Sequence, residues 1–471
     1  MKHAMILAAG LLFCMALPRP CEAKSAPNIL FIFADDQAYD TLGALGTTAV
    51  KTPNLDKLIN GGVHFTHTYN MGAWGGAVCV ASRAMLNSGA FLNRANACVK
   101  KNPHWSQMMK QAGYKTYMTG KWHVPGAPRF DVVKDVRPGM PKAVSSGYNR
   151  PKDPQHYASG WKPWDKANGG FWQGGTHWTQ VVGDNSVEFL KQAAKDDAQF
   201  LMYLAFNAPH DPRQAPKEYV DMYPLDSLKV PDNFMPMYPF KDKIGCGKGL
   251  RDEKLAPFPR TEYAVKVNRQ EYFACITYVD VQVGRILEAL KETGKADNTY
   301  VIYTADHGLA VGRHGLLGKQ NMYEHSMRPP FIMSGPGLKP GTRIDTPIYL
   351  QDAMATALEL AGAKRPDYVE FKSLMPLIRG ERKVQYESIY GKYMNSQRMI
   401  MKDGWKLMMY PSAGKERLYH LKEDPLEMKD LRDDPKHATV VRDLKAAYEE
   451  LRKQMGDDLD VDKPSGKKKR R

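Results

Sequence analysis

The run Asn28-Ile-Leu-Phe-Ile-Phe33 ends abruptly in Ala34-Asp35-Asp36, and three later stretches repeat that arrangement. Lys115 to Met118 runs into Thr119-Gly120-Lys121-Trp122-His123. Phe200 to Phe206 runs into Asn207-Ala208-Pro209-His210, and Tyr300 to Tyr303 into Thr304-Ala305-Asp306-His307-Gly308. Continuous apolar runs of this length are those of strands buried on both faces. Helical patterns separate them: Asn54 to Gly61, Trp105 to Ala112, Asn185 to Ala194, and the long Tyr263 to Thr293. Strands alternating with helices predict an α/β domain with a large, mainly parallel sheet sandwiched by helices. In such sheets, sites form beyond the carboxyl ends of the strands. Four strands that each end in a chemically capable polar cluster predict one converging site, against the plainer reading of each residue as a cap or turn former.

The 471 residues are ample for a large core, and 43% hydrophobic with 10% aromatic content excludes a chain disordered in bulk. Lys2 and His3 precede an apolar run from Ala4 to Leu17, too short to span a bilayer, with Ala23 before Lys24 a cleavage point. Residues 1–23 are expected to be a secretory signal peptide and the mature protein to be exported, periplasmic or secreted. Arg19-Pro20 before Cys21 fit a lipoprotein signal less well. No later stretch reads as a membrane span. The formal charge of +16 favours anionic partners. Part of it lies in the basic tail, residues 461–471, read as a solvated end rather than a nucleic-acid arm. After cleavage four cysteines remain, Cys79, Cys98, Cys246 and Cys275, without metal-cage spacing. One disulfide among the last three is compatible with the compartment.

Residues 124–179 change texture, being rich in Gly, Pro and aromatics such as Trp161, Trp164, Trp172 and Trp178. They supply either a stacking surface for a sugar or the aromatic glue of an irregular loop. The stretch 234–260 reads the same way. Catalytic α/β sequence is assigned to 24–375. Beyond it, short strands at Glu387–Tyr393, Arg398–Lys402, Trp405–Tyr410 and Arg417–Leu421, then a charged helix over Thr439–Met455, predict a smaller α+β subdomain with an antiparallel sheet over 376–460.

Asp35, Asp36, Asp306 and His307 form an oxygen-rich set with one imidazole, donors that suit Ca²⁺ or Mg²⁺. Lys121, His123, His210, Lys319 and Arg83 add cationic or proton-donating groups. Metal and cations around an anionic group, with imidazoles for proton transfer, fit a sulfuryl or phosphoryl ester.

The segment Cys79-Val80-Ala81-Ser82-Arg83 resembles the Cys-x-Pro/Ala-Ser-Arg signature of the type I, formylglycine-dependent sulfatases of the alkaline phosphatase superfamily. The segments ending in Asp35-Asp36, Gly120-Lys121-Trp122-His123, Ala305-Asp306-His307-Gly308, Gly318-Lys319-Gln320 and the late Leu418–Glu427 stretch follow that family's order over nearly all of the chain. Two positions depart from the commonest pattern: Ala81 stands for the frequent Pro, and His307 for the frequent Asn. The resemblance implies an alkaline-phosphatase-like fold and a Cys79 converted to formylglycine by a maturation enzyme. It implies Ca²⁺, in preference to Mg²⁺, on Asp35, Asp36, residue 79, Asp306 and His307. It further implies that the hydrated aldehyde attacks sulfur, that Arg83 and Lys121 hold hydroxyl and sulfate oxygens, and that His210 with Lys319 protonates the leaving alcohol. His123 would then deprotonate the second hydroxyl to release sulfate. The run Gly318–His325 looks like that of carbohydrate-directed members, which makes a sulfated oligo- or polysaccharide the expected substrate, with aryl or choline sulfate the alternative. A phosphate or phosphonate monoester hydrolase of the same superfamily is the nearest rival, and a non-catalytic binder of sulfated glycans the rival from another class.

Overall fold

A computed structural model describes residues 26–142, 150–155 and 161–462. The expected signal peptide, and the tail from residue 463, lie outside the described residues. Among the described residues fifteen strands occur in chain order: β1 Asn28–Ala34, β2 Val63–Phe65, β3 Thr68–Tyr69, β4 Gly72–Ala73, β5 Lys115–Lys121, β6 Val132–Arg137, β7 Phe200–Ala205, β8 Thr299–Ala305, β9 Phe331–Ser334, β10 Thr342–Ile344, β11 Ile348–Tyr349, β12 Ile389–Tyr393, β13 Gln397–Lys402, β14 Trp405–Tyr410 and β15 Lys415–His420.

Eight of them form one sheet in the order β10-β2-β9-β8-β1-β7-β5-β6. β9 runs antiparallel to both of its neighbours and the other pairings are parallel. Every residue of β1 is buried, and its alternation explains why. Ile29, Phe31 and Phe33 enter the core on one face of the sheet, while Leu30, Ile32 and Ala34 enter the core on the other. The second core is covered by the helices Trp178–Ala193 and Glu262–Glu292. The expected strands and the long helix are therefore present. The helix predicted from Asn185 instead begins at Trp178, inside the stretch read as irregular. Gly183 lies within this helix. It serves packing, since a Cβ would lie 2.3 Å from Gln282 Oε1 of the long helix.

A second sheet, β15-β14-β13-β12-β4, is antiparallel except where β4 pairs parallel with β12. The C-terminal strands thus take in two residues that lie just before the Cys79 segment. The helix Ala438–Met455 backs this sheet. Met399, Leu407 and Tyr448 belong to the same apolar cluster as Phe31 and Phe33, so the two sheets share one core. Among the described residues no helix is long and apolar enough to cross a membrane.

Candidate active site

β1 and β8 are parallel neighbours in register Ala34↔Ala305, so their following residues, Asp35-Asp36 and Asp306-His307, emerge side by side. Asp36 turns the chain with φ 69°, and its backbone N–H donates to Asp306 Oδ1 at 3.1 Å. Opposite them starts the helix Val78–Ser88, with Cys79 in its first turn. The unpaired N–H groups there favour negative charge at residue 79. Arg83 follows one turn later on the same face.

Cys79 Sγ lies 3.4 Å from Asp35 Oδ1 and 3.4 Å from His307 Nε2. The ring of His123 stands beside the same residue. His307 Nδ1 sits 2.9 Å from the Gly308 carbonyl, which fixes the tautomer and leaves Nε2 facing Asp36 Oδ1 at 3.2 Å. Arg83 donates from Nε to Asp306 Oδ2 and from Nη1 to the Lys121 carbonyl, both at 3.1 Å. Its Nη2, 3.8 Å from Asp35 Oδ2, makes no hydrogen bond. Lys121 Nζ pairs with Asp35. Lys319 Nζ bridges both oxygens of Asp36, at 2.9 and 2.8 Å. His210 Nδ1 faces Asp211 Oδ1 at 2.9 Å, and its Nε2 lies 3.8 Å from Asp36. All ten residues expected at the site come together. Nine are buried and His123 is half-buried.

The charges compete strongly in this dry space. Burial pushes Asp35 up, but Lys121, His210 and Arg83 hold it at about 2. Burial and the neighbouring Asp35 push Asp306 up to about 7. Against burial, Asp36 and Asp211 lift His210 to about 10, and Asp306 and Asp36 lift His307 to about 9. The Cys79 thiol, despite burial, is held well below its usual value by Lys121, Lys319 and His307. The pocket therefore stabilises an anion at residue 79.

One ligand atom from each of Asp35, Asp36, Cys79, Asp306 and His307 lies within 4.8 Å of the others. Three hard carboxylates around one oriented imidazole fit a Ca²⁺ or Mg²⁺ ion. Such an ion would also relieve the repulsion that raises Asp306.

A family model described as Sulfatase matches residues 27–363, and one described as N-sulphoglucosamine sulphohydrolase, C-terminal, matches residues 312–454. The chain belongs to the sulfatase family. It is a sulfuric ester hydrolase. It is 28% identical to an arylsulfatase of Clostridium perfringens, over 86% of this chain and 90% of that one. It is 25% identical to an N-acetylglucosamine-6-O-sulfatase of Bacteroides thetaiotaomicron, over 96% of this chain and 90% of that one. A protein solved in complex with its substrate D-glucosamine-2-N,6-O-disulfate superposes with a TM-score of 0.74 at 23% identity, covering 94% of this chain and all of that one. The fold is the alkaline-phosphatase-like one of the sulfatases.

In this sulfatase the site holds more than strand ends. Arg251 Nη2 lies 3.2 Å from His210 Nε2 and 3.3 Å from Asp211 Oδ1. Asp252 Oδ2 accepts from Gln320 Nε2 at 2.9 Å, and its Oδ1 lies 3.7 Å from Lys319 Nζ. Arg251 and Asp252 belong to a loop without periodicity, and no sequence signal marked them. Asp211, adjacent to His210, was signalled only by that adjacency. The aromatic stretch resolves towards glue: Trp161, Trp172 and Trp178 are buried, and Trp161 Nε1 donates to Glu271. Cys79, Cys98, Cys246 and Cys275 are free, so the disulfide allowed by sequence is not formed.

Proposed function

We propose that the enzyme is exported and removes sulfate from a sulfated oligo- or polysaccharide, with formylglycine made from Cys79 by a maturation enzyme and with a bound Ca²⁺. The observation that carries this reading is the convergence on Cys79 Sγ of Asp35 and His307, each at 3.4 Å, with His123 beside the same residue. The similarity to an N-acetylglucosamine-6-O-sulfatase over 96% of the chain supports a sugar substrate.

Asp35, Asp36, Asp306, His307 and residue 79 would hold the ion, which when bound supplies positive charge beside the ester oxygens. The hydrated aldehyde supplies a nucleophilic hydroxyl and a second hydroxyl through which the ester can be released without a separate water attack. Arg83, with Nη2 unbonded, and Lys121 orient that hydroxyl and sulfate oxygen. His210 Nε2 carries a proton for the leaving sugar oxygen, with its Nδ1 fixed by Asp211 at 2.9 Å. Lys319 lends positive charge at the same oxygen. His123, beside residue 79, takes the proton of the second hydroxyl.

The test is sulfate release from defined sulfated oligosaccharides, alongside matched aryl sulfate and aryl phosphate. The expected ranking places a sulfated sugar first by kcat/KM. An aryl phosphate turned over faster than every sulfate would overturn the reading.

A further inference from the structure

The late segment Asp424-Pro425-Leu426-Glu427 brings no group to the pocket around Cys79, yet it ends in a buried charge. Asp424 builds its turn, accepting the Met428 N–H at 3.0 Å and the Lys429 N–H at 2.8 Å. Glu427 follows with φ 55°, an uncommon backbone for a residue with a side chain. Its Oε2 accepts the N–H of Glu324 at 2.8 Å, at the start of the short helix Glu324–Met327. Its Oε1 accepts from Lys406 Nζ of β14 at 2.8 Å. Lys406 also donates to Glu324 Oε1 at 2.7 Å and to the Met322 carbonyl at 3.1 Å. Glu324 Oε2 accepts from Tyr69 OH at 3.0 Å and from Arg328 Nη1 at 3.2 Å. Two buried carboxylates are thus matched by Lys406 and Arg328, and each is bonded at both oxygens.

The other end of this helix reaches the proposed ion-binding residues. The Ser326 carbonyl accepts the Gly308 N–H at 2.8 Å, one residue after His307. Gly308 allows the approach, since a Cβ there would lie 2.1 Å from the His325 carbonyl oxygen. The Met327 carbonyl accepts the Asn70 N–H at 2.8 Å, and Asn70 Nδ2 donates to the Asp306 carbonyl. The Arg328 carbonyl accepts the Tyr39 N–H at 3.0 Å, three residues after Asp36. A helix of one turn has little stability of its own, so its place is set by the groups bonded to it.

We propose that Glu427 is a positioning residue for the sulfatase reaction. By fixing the start of the helix Glu324–Met327 together with Lys406, it holds the carbonyls that keep Asp306-His307 and the Asp36 turn in place. The C-terminal strands thereby set the geometry of a site to which they give no side chain. The proposal rests on the reading of Asp36, Asp306 and His307 as working residues of the site.

The test compares the mature wild-type enzyme with Glu427→Gln at pH 8, above the value of about 7 to which burial lifts Glu427. The single amide oxygen can serve the Glu324 N–H or Lys406 but not both, and the amide NH₂ then faces a donor. Amide hydrogen exchange over Asp306–Leu309 is expected to rise about tenfold relative to Leu30–Phe33 in β1, and kcat for 4-nitrophenyl sulfate to fall about tenfold with KM little changed. Glu427→Asp, which keeps the charge and withdraws it by one methylene, is read in the same way if the amide variant fails to fold. Asp457→Asn is the control, because it breaks bonds to Arg398 and Tyr390 in the same C-terminal region without touching this helix. It is expected to leave exchange over Asp306–Leu309 and kcat as they are. Unchanged exchange or unchanged kcat in the Glu427 variant, or equal effects in the control, would overturn the proposal. Exchange reads the held backbone itself, so its outcome is separate from whether the pocket binds Ca²⁺ or which ester it cleaves.

Discussion

His123 has φ 47°, and its ring is half-buried beside Cys79 with Nδ1 unbonded. The backbone of Gly139 closes over it, and a Cβ at that position would lie 2.2 Å from the ring. Gly139→Ala must therefore push the imidazole off Cys79, while leaving the strands and both cores untouched. The expected result is a fall in kcat of about 10²-fold with little change in melting temperature, read by parallel kinetics and calorimetry. At this scale the sequence was most informative. Asp35, Asp36, Lys121, His210, Asp306 and His307 were legible because a fully apolar strand followed by a polar pair announces where the strand stops. Gly139 was not legible, because the need for a missing side chain arises only once two distant segments meet.

Elements explain which site residues escaped the sequence. Glu253 accepts the backbone N–H of Leu317 at 3.1 Å and of Gly318 at 2.9 Å, and is itself held by Arg260. Arg260 also donates to the Gly315 carbonyl at 3.3 Å. Two irregular segments thus hold one another, and the hold ends at Lys319. Nothing in their local pattern predicts this, since apart from the Glu253–Arg260 pair the bonds are between residues tens of positions apart. Glu253→Gln replaces one acceptor with a donor facing those N–H groups and removes the charge opposite Arg260. It is expected to lower kcat about tenfold, with a smaller change in KM, because Lys319 loses its register more than the pocket loses its shape. Equal kcat in variant and wild type would show that the loop holds Lys319 without Glu253. The two-residue β4 escaped for a different reason: it is too short to show alternation, and its place in the second sheet comes from pairing with Lys392 and Tyr393.

Across the whole molecule, the shared core and β4 tie the C-terminal strands to the Cys79 segment, and Asp457 locks the end of the last helix to them. Its carboxylate accepts from Arg398 Nε at 2.5 Å and from Tyr390 OH at 2.6 Å. Against its burial, Arg398 and Tyr390 hold Asp457 at about 2, below its ordinary 3.8. A depressed carboxylate contributes stability above its unfolded value and loses it as pH falls through the folded one. Wild type should therefore melt above Asp457→Asn at neutral pH, and the gap should close between about pH 4 and pH 2. Scanning calorimetry over that range checks it, and a gap independent of pH would contradict the assignment. In the proposed mechanism activity depends on residue 79 above all, and the tryptic peptide Leu58–Arg83 reports on it directly. Mass spectrometry of that peptide, from a preparation with measured sulfate release, should find the aldehyde in place of the thiol. A fully active preparation that carries only cysteine at position 79 would contradict the account.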